Sequence, residues 1–293
     1  MPTVETPRMQ DTPPVDKRGE RVRAMFAGVA KRYDLLNHLL SMNIDKRWRN
    51  YTVRHVPPPA GGKVLDVCTG TGDLALAYAK TLAGKGLVVG ADFCHEMLII
   101  AREKSQRHAK GVEIVEADAQ QLPFPDNEFD VVSVGFGLRN VADTRAGISE
   151  MIRVARPGGK VAILEFSKPR VPVLRWLYLA YFKYLLPAVG QAISKNDHDA
   201  YHYLPASVLQ FPDGQQMIDL LTEMGLHRVE AHPLTLGHLH TLRGPEGKPM
   251  NDDLPLVIAM TGGSGAAYDG RPWWKSFWTC ARSILSSVPP PKR

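Results

Sequence analysis

Three acidic residues sit where short apolar runs end, and they are the side chains best placed for chemistry. Asp66 lies inside Val64–Val67, Asp92 closes Leu87–Asp92, and Asp118 follows Val112–Ala117. After the first run comes Thr69-Gly70-Thr71-Gly72-Asp73, leading straight into the helical stretch Leu74–Ala79. Gly70 and Gly72 allow positive φ and a close backbone approach to a ligand. The helix behind them aims unpaired N–H groups and a positive dipole end at whatever lies over the turn. Asp92 falls 22 residues after Gly70 (92 − 70), a spacing that suits a carboxylate accepting from ribose hydroxyls. The chain is therefore expected to bind a nucleoside-containing cofactor through Gly70, Thr71, Gly72 and Asp92.

Gly70-Thr71-Gly72-Asp73-Leu74-Ala75 satisfies the dinucleotide pattern, a weak match when taken alone. Two features favour S-adenosylmethionine over NAD. A pyrophosphate gains nothing from Asp66 at the strand-to-loop junction, whereas an amino-acid ammonium can be held there directly or through water. Asp118 can accept from an adenine amino group while the small Ala119 leaves room for the ring. The plainer reading of each Asp is a loop cap. The three together are expected to line one carboxyl edge of a parallel sheet, where such sheets bind ligands.

The elements that must position these groups follow from hydrophobic period. Strand signals run over 63–67, 87–92, 112–117, 129–134 and 160–165, with helical stretches such as Met97–Arg107 and Thr144–Val154 between them. Residues 1–20 carry four prolines and read as a disordered tail. Residues 21–55 show apolar positions three and four apart and read as helical. Residues 169–207 interrupt the alternation with a run rich in Trp, Tyr and Phe, read as a helical cap and an apolar wall for a large flat substrate. A helix over Gly214–Met224 and two strands near 227–242 are expected to close a domain spanning 21–244. Residues 245–270, rich in Gly and Pro, read as a linker.

Four stretches give the sequence a recognisable likeness: Tyr33–Ser41 with Trp48, the glycine loop, Gly135-Phe136-Gly137-Leu138-Arg139-Asn140, and Arg153–Lys160 with Glu165-Phe166-Ser167. Over roughly residues 20–244 the chain resembles class I methyltransferases, and within them the ubiquinone/menaquinone biosynthesis C-methyltransferase family. The resemblance implies a Rossmann-like α/β fold with a mostly parallel seven-stranded sheet and helices on both faces. It implies S-adenosylmethionine as methyl donor and a ring carbon of a reduced, prenylated quinone as acceptor. Arg139 is then expected beside a developing phenolate, as an oxyanion stabiliser or the holder of a water that takes the proton, since guanidinium is no realistic base. Asn140 is expected to orient the same group. Tyr201 matches a family position and His202 does not. The loop Val67-Cys68-Thr69-Gly70 looks more like that of menaquinone-only members than the Ala-Gly-Gly loop of dual-function ones, a resemblance that implies demethylmenaquinol over the ubiquinone precursor. Methylation of another apolar molecule, such as a sterol or polyketide, and a non-catalytic assembly role are the competing readings. Asp45 stands where the family usually has His, and Cys68 stands where the general loop motif has Gly.

Composition narrows the partners. Of 293 residues, 36 are Lys or Arg and 30 Asp or Glu, a net charge of +6. The basic residues are dispersed and no nucleic-acid motif appears, so an anionic membrane surface is the expected partner rather than nucleic acid. No apolar run is long enough to span a bilayer, and the N-terminal residues hold no apolar signal-peptide core. Three cysteines without a pair motif suit a reducing, cytoplasmic setting. The histidine pairs His198/His202 and His238/His240 lack the companions of a metal site, and none is expected. Residues 271–293 hold five basic residues, no acid, and a Trp-rich apolar series at helical spacing. They are expected to form an amphipathic helix that either lies at the inner face of a membrane or packs on the enzyme's own surface or on a partner. Oligomeric state is left open, a homodimer included.

Overall fold

Central strands set the architecture. Strand β1 (Lys63–Val67) and strand β4 (Phe129–Gly135) bury nearly every residue, the mark of parallel strands covered on both faces. In the computed structural model, which describes residues 16–41, 43–108, 111–166, 203, 206–212, 214–226, 229–234 and 256–262, they lie side by side in a seven-stranded sheet. The other strands are β2 (Leu87–Asp92), β3 (Val112–Glu116), β5 (Ala155–Phe166), β6 (Val229–Pro233) and β7 (Leu256–Gly262), in the order β3-β2-β1-β4-β5-β7-β6. All six pairings are parallel. The order reverses between β1 and β4, and that switch point opens a crevice at the carboxyl edge.

The two-residue period of the strands divides the core. Leu65, Val67, Val132 and Val134 face one way and pack on helices α6 (Thr144–Val154) and α7 (Gln215–Glu223). Val64, Val88, Val131 and Ala162 face the other way, onto Trp48 and Val53 of α3 (Ile44–His55) and Leu74, Ala75, Tyr78 and Leu82 of α4 (Asp73–Leu82). Each buried Val or Leu stabilises the fold by about 1.5–3 kcal/mol relative to exposure. Helix α5 (His95–His108) lies beside α4, and its Met97 packs with Val29 and Ala30 at the end of α1 (Gly19–Val29).

Between α1 and α3 the chain forms a short 3-10 turn and α2 (Tyr33–Leu40). The expected helical region 21–55 is thus three helices, and α3 starts beyond Asn43, which takes a left-handed φ of 60°. Asp143 caps α6 by accepting from the Ala146 N–H at 3.0 Å. That helix stops at Val154, before Pro157, which cannot continue it.

Two expected boundaries need correction. Helix α1 begins at Gly19, and Lys17 and Gly19 belong to a cavity wall, so the folded unit reaches into the stretch read as a tail. Strand β7 lies inside the expected linker 245–270 and pairs with β5 from Leu256 to Gly262. Its apolar residues, Leu-Val-Ile-Ala-Met, form a short strand that the surrounding Gly and Pro obscured. The expected cap, the later part of the two-strand region near 227–242 and the helix over 271–293 fall on residues outside those described, apart from Tyr203 and 206–207 at the cap's end. Among the described residues no helix is long and apolar enough to cross a membrane.

Candidate cofactor site

The site is built on the sheet's carboxyl edge. A cavity of about 240 Å³ opens there, walled by Cys68, Gly70, Asp92, Phe93, Asp118 and Asn140, with Lys17, Phe26 and Tyr33 contributed by the N-terminal helical segment. Gly70 and Gly72 have φ of 57° and 86°, as the turn demands, and Gly72 ends at the head of α4. The ring of Tyr33 lies over the turn, 3.8 Å from where a Gly70 side chain would begin.

Asp92 ties the site together. It is 7% exposed. One carboxylate oxygen accepts from the Gly70 N–H at 2.8 Å and the other from the Cys94 N–H at 2.9 Å. Burial raises its pKa, while those N–H groups oppose the shift. Each oxygen keeps a further lone pair for a ligand hydroxyl. Asp118 sits at the rim, exposed, accepting from the Gln120 backbone N–H at 2.9 Å. Ala119 beside it is buried and also lines the cavity. Asn140 presents a buried side-chain oxygen that has no partner among the described residues, an acceptor waiting for a donor.

Asp66 is not part of this wall. It pairs in register with Gly90, whereas Asp92 pairs with Glu116. Asp66 therefore lies two residues deeper in the sheet than Asp92, about 6.6 Å along the strand. Its oxygens accept from Thr69 Oγ1 at 2.7 Å and Ser133 Oγ at 2.9 Å. Burial pushes its pKa up to about 6. It holds the loop from beneath. Thr71 also turns away, donating to Asp34 at 2.5 Å. Lys104 joins them by bonding Asp34 at 2.9 Å, Thr71 at 3.2 Å and Asp73. Neither Thr71 nor Gly72 lines the cavity; they shape and anchor the turn.

Arg139 is 3% exposed and faces inward. Its Nη1 donates to Glu165 at 2.9 Å and to the Phe136 carbonyl at 2.5 Å. The guanidinium carbon lies 5.3 Å from the centre of the Phe166 ring. Its Nε–H is buried without a partner among the described residues. Glu165 also accepts from the Arg139 backbone N–H at 3.2 Å, so the pair fixes the 3-10 turn Leu138–Asn140 that delivers Asn140 to the cavity. The departure at Asp45 has a structural use. Asp45 accepts from Ser41 at 2.6 Å and from Arg49 at 2.5 Å, and Arg49 lies 3.4 Å from Asp73. That buried chain fastens α3 to the head of α4.

Sequence reasoning missed Lys17, Phe26, Phe93, Met97, Phe136 and Gly137 on the wall. Phe93 was findable, since the residue after a strand-ending Asp stays at the sheet edge. Lys17 and Phe26 carry no local signal, because only the packing of α1 brings them there.

Residues 15–244 match the ubiE/COQ5 methyltransferase family. The chain belongs to that family. The ubiquinone/menaquinone biosynthesis C-methyltransferase UbiE of Geobacter sp. (strain M21) is 44% identical over 225 residues, covering 76% of this chain and 95% of that protein. The demethylmenaquinone methyltransferase of Shouchella clausii (strain KSM-K16) is 39% identical over 219 residues, covering 74% and 93%. Among solved structures, a SAM-dependent methyltransferase from Aquifex aeolicus aligns over 50% of this chain and 76% of its own, with 26% identity and a TM-score of 0.43. In this ubiE/COQ5 methyltransferase, β7 lies beyond the segment that matches the family.

Proposed function

We propose that this enzyme methylates a ring carbon of a reduced, prenylated quinone precursor, with demethylmenaquinol as the preferred acceptor. The observation that carries the reading is the match of residues 15–244 to the ubiE/COQ5 family, whose relatives at 44% and 39% identity are named for that chemistry. S-adenosylmethionine is the methyl donor, and when bound it supplies an electrophilic methyl on a sulfonium.

The cavity's chemistry fits that donor. Asp92 would accept from the ribose hydroxyls, Asp118 from the adenine amino group, and Phe93, Met97 and Ala119 would take the ring's apolar faces. The unpartnered oxygen of Asn140 would accept from a donor group on cofactor or substrate. Asp66 acts through the loop rather than by contact.

Methyl transfer is an in-line displacement, so alignment lowers the barrier. The acceptor carbon gains nucleophilicity when the neighbouring phenol loses its proton to water. Arg139 would favour the resulting oxyanion through its positive charge and by fixing the turn that carries Asn140 to the cavity, an electrostatic contribution that grows as charge develops. A carbon–carbon bond then forms to the methyl as the carbon–sulfur bond breaks, and loss of the ring proton restores the aromatic ring. Residues 271–293 would hold the enzyme peripherally at the cytoplasmic face of the membrane where the quinol resides. Incubation with labelled S-adenosylmethionine and reduced demethylmenaquinone tests the assignment. Labelled menaquinol is the expected product; label on no quinol, or a higher kcat/KM on an unrelated apolar acceptor, refutes it.

A further inference from the structure

A second concave surface lies outside the cofactor site. Helix α3 places Lys46, Asn50 and Arg54 four residues apart along one exposed stripe. The opposite side of the helix buries Trp48 and Thr52. Beside the stripe stand exposed Lys80 on α4, and Lys104 and exposed His108 on α5. Together they line a groove of about 610 Å³ whose single carboxylate is Asp73. Asp73 is already paired with Lys104 and lies 3.4 Å from Arg49. Lys46, Arg54 and Lys80 have no ion-pair partner among the described residues. Cations gathered on three helices repel one another unless an anion lies outside them.

We propose that this groove is a contact surface for anionic phospholipid headgroups. The lining favours that occupant over nucleic acid. No Phe, Tyr or Trp lines the groove, so it lacks the stacking platform that single-stranded nucleic acid uses. Its apolar floor of Val53, Leu76 and Ala77 suits the glycerol and upper acyl region beneath a phosphate. The surface is independent of residues 271–293 and gives the enzyme a folded electrostatic contact of its own. The inference rests on the reading above in one respect: a prenylated acceptor resides in the bilayer.

The test uses the full chain and a variant carrying Lys46→Gln, Arg54→Gln and Lys80→Gln, none of which touches the cofactor cavity. Both are sedimented with vesicles of phosphatidylcholine alone and with roughly 30% phosphatidylglycerol, at about 0.1 M salt where the Debye length is about 10 Å. Each basic residue near an anionic surface contributes about fivefold in partition, so the variant should bind anionic vesicles about ten- to a hundredfold more weakly. Its unchanged affinity for S-adenosylmethionine shows that it is folded. Equal partition of variant and parent overturns the proposal, and so does equal binding of the parent to neutral vesicles. Displacement by inorganic phosphate at matched ionic strength assigns the groove to free anions instead, and a loss confined to RNA binding assigns it to nucleic acid; either result overturns the lipid proposal. Turnover separates the two readings. With quinol dispersed in detergent the variant should keep the parental kcat, while with vesicle-embedded quinol its rate should fall. A parent inactive on the dispersed quinol refutes the acceptor assignment and leaves the vesicle result standing.

Discussion

Substituting Gly137 by Ala tests whether the cavity wall is as tightly keyed as its geometry states. A Cβ at Gly137 would lie 2.3 Å from the Cβ of Cys68 and 3.3 Å from its carbonyl oxygen and sulfur. Carbon atoms pack at about 3.5–4.0 Å, so one wall must retreat by about 1.2–1.7 Å. Alanine meets no backbone obstacle at φ −109°, so the whole effect comes from contact. Overpacking of this kind costs about 1–3 kcal/mol, and a 1 Å displacement near reacting groups costs on the order of a hundredfold in rate. Gly137→Ala is therefore expected to lower the melting temperature by several degrees and to reduce kcat/KM about a hundredfold. Cys68→Gly in the same chain removes the obstructing carbon and frees a residue held at φ 53°, a conformation that costs a non-glycine residue roughly 1–2 kcal/mol. The double variant should regain most of the stability and of the S-adenosylmethionine affinity, measured by thermal melts and calorimetry. The coupling energy should exceed about 1 kcal/mol. If the two substitutions add within about 0.5 kcal/mol, as independent sites do, the close approach is not what governs the wall.

Other expectations follow from the same geometry. Asp92→Ala, read by calorimetry, should weaken S-adenosylmethionine binding by about 1.5–3 kcal/mol, the range for hydrogen bonds to a charged group; unchanged affinity in a folded variant would remove Asp92 from the ribose site. Arg139→Lys keeps the charge but loses the planar fork, so kcat should fall with cofactor affinity nearly intact; a parental kcat would exclude Arg139 from the chemistry. For Asp66 the folded pKa is about 6 against an ordinary 3.8. The native state thus binds the extra proton, and this residue's contribution to stability is present below pH 3.8 and lost as pH rises to about 6, on the order of 3 kcal/mol. Asp66→Asn should flatten the fall of melting temperature across that window, and an unaltered slope would show that Asp66 does not titrate there.

How much of this was legible in the sequence depended on whether the signal was local. The first strands, the glycine turn and the helix behind it are neighbours in the chain and lie where their spacing placed them, with Asp92 closing β2. The depth of Asp66 was hidden because depth is a matter of register. Position 66 pairs with 90 and not with 92, a difference of one pleat that no single strand reveals. Strand β7 was hidden because its apolar run is shorter than the Gly- and Pro-rich sequence around it. Arg139 stood out by its motif, but its buried partner Glu165 lies 26 residues away on β5.

The order of strands also determines the order in which parts of the molecule can exist. Every residue on the cofactor cavity wall lies between positions 17 and 142, while the β5 edge stays unpaired until Leu256–Gly262 arrives. A chain leaving the ribosome therefore carries the pieces of its cofactor pocket long before its sheet can close. Cofactor present in the cell becomes a ligand of the half-made protein, stabilising it by mass action while the β5 edge is still open to wrong partners. Stalled chains ending near residue 170 should acquire protease resistance when S-adenosylmethionine is added, and chains halted before β4 should not. Methyl-donor supply would then set the yield of this enzyme as well as its rate.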